Sequence, residues 1–299
     1  MKSAVTQCVL AAISVFQSFI AYAEVDTYQA NLSTLIGVTT NTEDTENTRS
    51  PVLGLQVFFK PVNNNPEQAF DQHEFIQRAS NLYLALAPTD IETTTYNTHL
   101  SNTSVSVTYY RGDMFAKLGY VTGSGELKPS ASPSLQYDLQ HHSNSYAAGY
   151  YLFPLSQISL GVDKTRLSFT ANSLWLPTLA DDVTTKTSLT SKTLWHIGQQ
   201  QSLCFELSLR NIRHEDSNTD HNNETDVSLK YYPVPAGYAH LQLTRNQGED
   251  KATIGNTSML AGGYAFTPRL SLYAAYLNFI TSGTKNDNHS VLVAGNYRF

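Results

Sequence analysis

From Tyr28 onward the chain repeats one pattern: apolar side chains at every second position over short runs, broken by polar or Gly- and Pro-bearing punctuation. A period of two is the mark of a strand with one apolar and one wettable face. Leu53, Leu55, Val57 and Phe59 form one such run, and Val105, Val107 and Tyr109 another. Leu203, Phe205, Leu207 and Leu209 repeat it, as do Leu270, Leu272, Ala274 and Tyr276. About fourteen segments share this character, the first being Tyr28, Ala30, Leu32, Ile36 and Val38. The stretch from Lys164 to Asp182, with Arg166, Leu167, Phe169 and Trp175, reads either as one long strand or as an added hairpin, which keeps twelve and sixteen strands open.

The connections alternate in length. Arg111-Gly112-Asp113, Phe153-Pro154-Leu155, Thr267-Pro268-Arg269 and the segments around Gly198 and Pro235 are tight turns by composition. Between them stand longer polar stretches, Asn41 to Ser50, Thr122 to His142, His214 to Asn222 and Thr281 to Asn288. Short turns on one rim and long loops on the other are the asymmetry of a transmembrane antiparallel β-barrel, with the short turns periplasmic. In hydrocarbon every backbone N–H and C=O needs a partner, and strands achieve this only by closing on themselves. A secreted β-sandwich shares the alternation, but it does not call for aromatics near strand ends or a last strand that stops on its apolar face.

Within this frame the start of the chain reads as a leader. Lys2, an apolar stretch from Val5 to Ile20 and Ala21-Tyr22-Ala23 follow the grammar of a cleaved signal peptide, giving a signal segment 1–23 and a single barrel domain 24–299 exported to the outer membrane. Cleavage removes Cys8 and leaves Cys204 alone, so no internal disulfide is expected. With 19 Lys plus Arg against 25 Asp plus Glu, a formal charge of −6, a phosphate-gripping surface is not expected and nucleic acid is excluded as a partner.

Residues on the opposite parity face the lumen. The ionisable ones, taken as pore-lining candidates, are Lys60, Lys117, Asp163, Lys192, Glu206, Arg210, Lys230, His240 and Arg298, set among small and hydroxylated neighbours such as Ser104, Ser106 and Thr108. Basic side chains outnumber acidic ones in this set, which favours anions, while Glu43, Asp44, Glu46, Asp181, Asp182, Glu215 and Asp216 give an acidic outer rim that opposes it. Cys204, inward by parity, is expected to react with a small hydrophilic thiol reagent.

Between the second and third strands, Asn65-Pro66-Glu67-Gln68 offers an N-cap, a Pro at the first helical position and a Gln three residues after the cap. A short periplasmic helix from Pro66 to about Arg78 is expected. It is read as a surface helix that shields strand ends in preference to a plug in the mouth.

Two stretches carry a family likeness. Gln56-Val57-Phe58-Phe59-Lys60-Pro61-Val62, then Glu74-Phe75-Ile76-Gln77-Arg78-Ala79-Ser80-Asn81-Leu82 after a polar spacer, resemble the general bacterial porin family of Gram-negative outer-membrane barrels. The ending Asn296-Tyr297-Arg298-Phe299 is similar to the targeting signal of such barrels, with Tyr297 and Phe299 as its apolar residues. The resemblance implies a barrel and a porin-like channel for passive diffusion of small hydrophilic solutes or ions. It also implies outer-membrane lipids, lipopolysaccharide and the barrel assembly machinery as partners.

No cofactor is expected. His141-His142 and His289 lack Cys or carboxylate neighbours at ligand spacing, so no metal is expected either. His99-Leu100-Ser101 puts a base and a nucleophile on one strand face without an identifiable orienting partner, and the protein is read as a non-enzyme. A non-conducting structural or adhesive barrel, and an outer-membrane lipid hydrolase, are the alternatives. The Arg111-Gly112-Asp113 tripeptide lies in a turn on the rim away from any host receptor.

Overall fold

A computed structural model describes residues 27–41, 47–131, 136–171, 181–198, 200–215, 221–248, 254–281 and 287–299. The leader expected over residues 1–23, and the loop acids Glu43, Asp44, Glu46 and Asp216, lie outside the described residues. The elements in order are β1 (Thr27–Asn41), β2 (Asn47–Asn63), α1 (His73–Ile76), β3 (Asn81–Glu92), β4 (Tyr96–Arg111), β5 (Met114–Pro129), β6 (Tyr137–Phe153) and β7 (Ser156–Ala171). They continue with β8 (Asp182–His196), β9 (Ser202–His214), β10 (His221–Val234), β11 (Gly237–Gln247), β12 (Ile254–Ala265), β13 (Leu270–Thr281) and β14 (Asp287–Arg298). Every strand pairs antiparallel with its neighbours in sequence, and β1 meets β14 from Asn31↔Arg298 to Asn41↔Asn288, so the sheet closes into a barrel of fourteen strands.

Closure leaves no open edge, and the pleat sorts side chains between two surfaces. Leu118 is 57% exposed, Leu160 65% and Leu260 64%, each at the centre of an outward apolar run. A soluble protein rarely shows contiguous apolar surface of more than a few hundred Å². Here it encircles the whole barrel, which is the surface that lipid covers.

The turn rim carries Thr27, Phe299, the tight connections and one long connection, residues 64–80 between β2 and β3. In the β4–β5 hairpin, Gly112 takes a left-handed φ of 61°, the conformation only glycine adopts at no steric cost. The opposite rim carries the longer connections, with one exception: β3 and β4 are joined by Thr93 to Thr95, closed by the Thr93 hydroxyl donating to the Tyr96 carbonyl at 2.8 Å.

Three expectations change. The polar stretch from Thr122 to His142 is mostly strand, since Thr122 pairs with His142 and the ladder runs on to Leu127↔Tyr137. Its alternating hydroxyl, Gly and His residues hide a strand that rises above the apolar band, where both faces are wet. Tyr28 is buried inside the barrel instead of facing out. A bulge between Tyr28 and Ala30 inverts the parity, and its ring meets Phe58 edge-on at 5.5 Å. The helix from Pro66 to Arg78 shrinks to the single turn of α1. Residues 65–68 form a turn in which the Asn65 side chain accepts from the Glu67 N–H, and the backbone then bonds to the barrel, Phe70 N–H to the Pro235 carbonyl at 3.0 Å.

Candidate functional site

A fourteen-strand barrel is wider than its own side chains can fill. At the turn rim the gap is occupied by residues 64–80, which cross the lumen as a plug; the expectation of a surface shield is wrong. Contacts come from strands all round the circumference: Gln56 on β2, Tyr151 on β6, Lys192 on β8, Lys230 and Tyr232 on β10, Tyr238 on β11 and Arg298 on β14. A helix capped for the surface would have kept its polar groups for water; here they meet barrel partners.

The centre of the plug is Asp71. Its carboxylate accepts from the Lys230 ammonium at 2.9 Å and from the Tyr232 hydroxyl at 2.7 Å, and Gln72 donates to the same hydroxyl at 2.9 Å. Desolvation alone would raise the Asp71 pKa, but the Lys230 charge and these hydrogen bonds overcome it and hold the group below the usual carboxylate range. Three residues on, the Glu74 carboxyl accepts from Gln56 at 3.3 Å. Burial dominates there and pushes its pKa up against the opposing charge of Arg298. His73 is buried with its Nε2 against the Asn65 and Gln68 carbonyls at 3.1 and 3.3 Å, and burial together with Arg298 lowers its pKa to about 4, so the ring is neutral.

Aromatic side chains complete the seal. Phe75 packs on Tyr151 with centroids 5.4 Å apart, the Tyr151 hydroxyl donates to the Phe75 carbonyl at 3.0 Å, and Phe70 stacks on Tyr238 at 5.8 Å. Arg298 donates to the Phe70 carbonyl and lies over the Tyr28 ring at 4.8 Å. At the C-terminal end of α1, Ala79 N–H bonds to the Glu74 carbonyl and Arg78 N–H to that of Phe75, a helix stop in which Arg78 occupies the left-handed position glycine usually takes, with φ 52°. Its side chain accounts for the choice: the guanidinium pairs with Asp113 at 2.5 Å and lies over the Tyr151 ring at 4.3 Å.

The pore-lining candidates separate into two levels. Lys192, Lys230 and Arg298 touch the plug. Lys117 lines a cavity beside it. His240, buried, shares a 2.8 Å hydrogen bond with Ser228 near the plug, and Glu206 stands opposite both Lys192 and Ser228. Nearer the loop rim, Arg210 bonds to Glu224 and lies 3.7 Å from Asp226, while Asp163 stands opposite Lys186 in the β7–β8 register. Lys60 is exposed on the bulged part of β2, apart from both groups. Sequence reasoning missed Asp71, Glu74, Lys186, Glu224 and Asp226. Lys186 reaches Glu224 at 3.6 Å, and Asp226 accepts from Gln242 at 2.6 Å. These acids balance the lumen bases, so the excess of positive charge inferred from the shorter set disappears.

Two further expectations change here. Cys204 does face inward, but it is buried among Leu194, Tyr151, Tyr232 and the plug residues Ala69 and Phe75, which removes the free access expected of it. His99 has an orienting partner after all, since its Nδ1 lies 2.5 Å from the Asp90 carboxylate on β3. His99 and Ser101 keep the shared outward face that strand parity gives them.

No protein-family model matches the sequence, and no curated protein matches it. Solved structures do match in fold. The Acinetobacter baumannii outer membrane protein Omp33 aligns with a TM-score of 0.58 at 14% identity, over 92% of this chain and 100% of that one. CymD, a monoaromatic hydrocarbon channel, aligns with a TM-score of 0.61 at 11% identity, over 91% and 89%. A Pseudomonas aeruginosa FadL homologue gives 0.54 at 8%, over 91% and 90%. With its closed sheet and apolar girdle, the chain is an outer-membrane β-barrel.

Proposed function

We propose that the protein is a diffusion channel for small hydrophilic solutes, of the general porin type, with residues 64–80 as a constriction at its periplasmic mouth. The observation that carries this reading is the lumen lining: lysines, arginines, carboxylates and hydroxyls turn inward along strands whose other face is apolar, the arrangement of a water-filled path. CymD is a hydrocarbon channel, whereas the ion-paired interior of this barrel suits solutes that carry their own charge or hydroxyls. Transport of this kind needs no chemical step and no cofactor. Tyr297 and Phe299 supply the signal for the assembly machinery, and lipid and lipopolysaccharide cover the outer face.

Recording from the purified protein in a planar bilayer tests the proposal. Stepwise conductance is the expected result, increased when residues 65–79 are replaced by a short Gly-Ser linker. A second reading, a barrel that does not conduct, is favoured by the breadth of the plug's contacts; absence of current in both proteins would decide for it.

A further inference from the structure

Beside the plug, between residues 71–79 and the inner faces of strands from β2 round to β8, lies a cavity of about 310 Å³. Lys117 of β5 and Lys192 of β8 both line it, and among the described residues neither makes an ion pair. Other lumen bases are held: Lys230 by Asp71, Arg210 and Lys186 by Glu224, and Arg298 by the Phe70 carbonyl. Glu206 stands directly across from Lys192 on β9, yet the Lys192 ammonium instead lies over the Phe75 ring at 4.4 Å, on the cavity wall. The Ser106 and Thr108 side chains of β4 lie on the same wall.

We infer that this cavity is a binding subsite for a small hydroxycarboxylate, its carboxylate between Lys117 and Lys192 and its hydroxyl toward Ser106 and Thr108. Two ammonium groups without a paired acid on one partly open recess, Lys192 half-buried and Lys117 exposed, draw an anion from solution. The rings of Phe75 and Tyr110 favour an organic anion over inorganic phosphate, since they flank a carbon skeleton that phosphate lacks. The volume is at the small end for ligand sites, which suits an acid of a few carbons. Glu74 and Asp71 also face the cavity; burial favours the neutral form of Glu74, and the Asp71 charge is answered by Lys230, so both oppose the ligand less than a free exposed acid would. Glycine at 119, next to Ser145 and Ser106, keeps the wall above Lys117 open; a Cβ there would meet the Ser145 hydroxyl at 2.2 Å. The inference rests on the channel reading for its purpose, as the step at which a solute is selected.

Saturation-transfer-difference NMR on the detergent-purified protein tests it without requiring current. Malate is expected to give a saturable signal and the uncharged malamide none. The double variant Lys117→Gln/Lys192→Gln should bind malate more weakly by roughly tenfold or more, the scale of one charge-assisted hydrogen bond. Lys117→Arg, which keeps the charge, should retain the signal and guards against a fold defect. Equal signals from malate and malamide, or an unchanged signal in the double variant, would overturn the subsite. A protein that binds malate but never conducts refutes the channel and leaves the subsite standing; one that conducts without binding malate does the reverse.

Discussion

The Asp71 carboxylate and the Lys230 ammonium lie 2.9 Å apart, one on the plug and the other on the barrel wall, 159 positions away in sequence. The pair is neither open to solvent nor fully enclosed, with side-chain exposures of 22% and 24%. Its rupture should therefore cost between the small value of a surface pair and the 3–5 kcal/mol of a buried one, about 2 kcal/mol. Lys230→Met, which strands the carboxylate, is expected to loosen the plug and raise bilayer conductance. Asp71→Asn/Lys230→Met should loosen it less, because no charge is left unpaired.

The two acids of the plug make opposite predictions with pH. The folded-state pKa of Asp71 is depressed, so its contribution to docking is complete above the ordinary carboxylate range and is lost as pH falls through the lowered value. That of Glu74 is raised, so its contribution is complete below the ordinary range and is lost as pH rises through the raised value. His73 opposes Glu74 over the same range: its buried ring resists protonation down to about 4, so docking weakens as pH falls from the ordinary histidine range toward that value. With His73→Gln removing that opposing titration, proteolytic nicking of residues 64–80 should slow on moving from neutral to mildly acidic pH, and Glu74→Gln added to it should flatten the dependence. A slope that survives in His73→Gln/Glu74→Gln contradicts the assignment.

Arg78 sits in a backbone conformation that costs a residue with a Cβ about 1–2 kcal/mol. Arg78→Gly removes that strain along with the contacts to Asp113 and Tyr151, and the two changes nearly cancel. Arg78→Ala keeps the strain and loses the contacts, so it should expose the plug to protease distinctly more than Arg78→Gly. The reverse order would mean that the left-handed strain at this position does not decide how firmly the turn is held.

Cys204 reports on the plug from beneath. A hydrophilic maleimide should label it slowly in the intact protein and rapidly in the linker replacement of residues 65–79. Equal rates would show that something other than the plug covers the thiol.

The wall is tested from outside. Leu160→Arg places a charge on the lipid face and should cost about 2–4 kcal/mol in folding into a bilayer, near the value for the midplane. Replacing Lys164 by Leu, four residues along the same face, should cost far less, because its 2.7 Å pair with Glu215 is largely exposed.

The barrel was legible because its cause is periodic: Leu203, Phe205, Leu207 and Leu209 announce their face whatever lies beside them. The plug was not, because its residues are placed by partners far away in sequence. Asp71 looks like any loop acid until Lys230 and Tyr232 are brought to it. One clue stood in the strands themselves. Tyr110, Phe115, Tyr151, Tyr232 and Tyr238 all fall on the inward parity beside short turns, and a ring of inward aromatics at one rim implies something for them to pack against. Local capping chemistry at Asn65 and Pro66 pointed to a longer helix, and it lost to the hydrogen bonds the barrel offered Phe70.

The grip of Arg298 on the Phe70 carbonyl fixes an order of events. Since that arginine belongs to the strand that seals the cylinder against β1, a half-assembled molecule has neither seam nor stopper. The same registration step that zips the wall shut also seats the stopper, so an unfinished barrel is one whose floor is still missing.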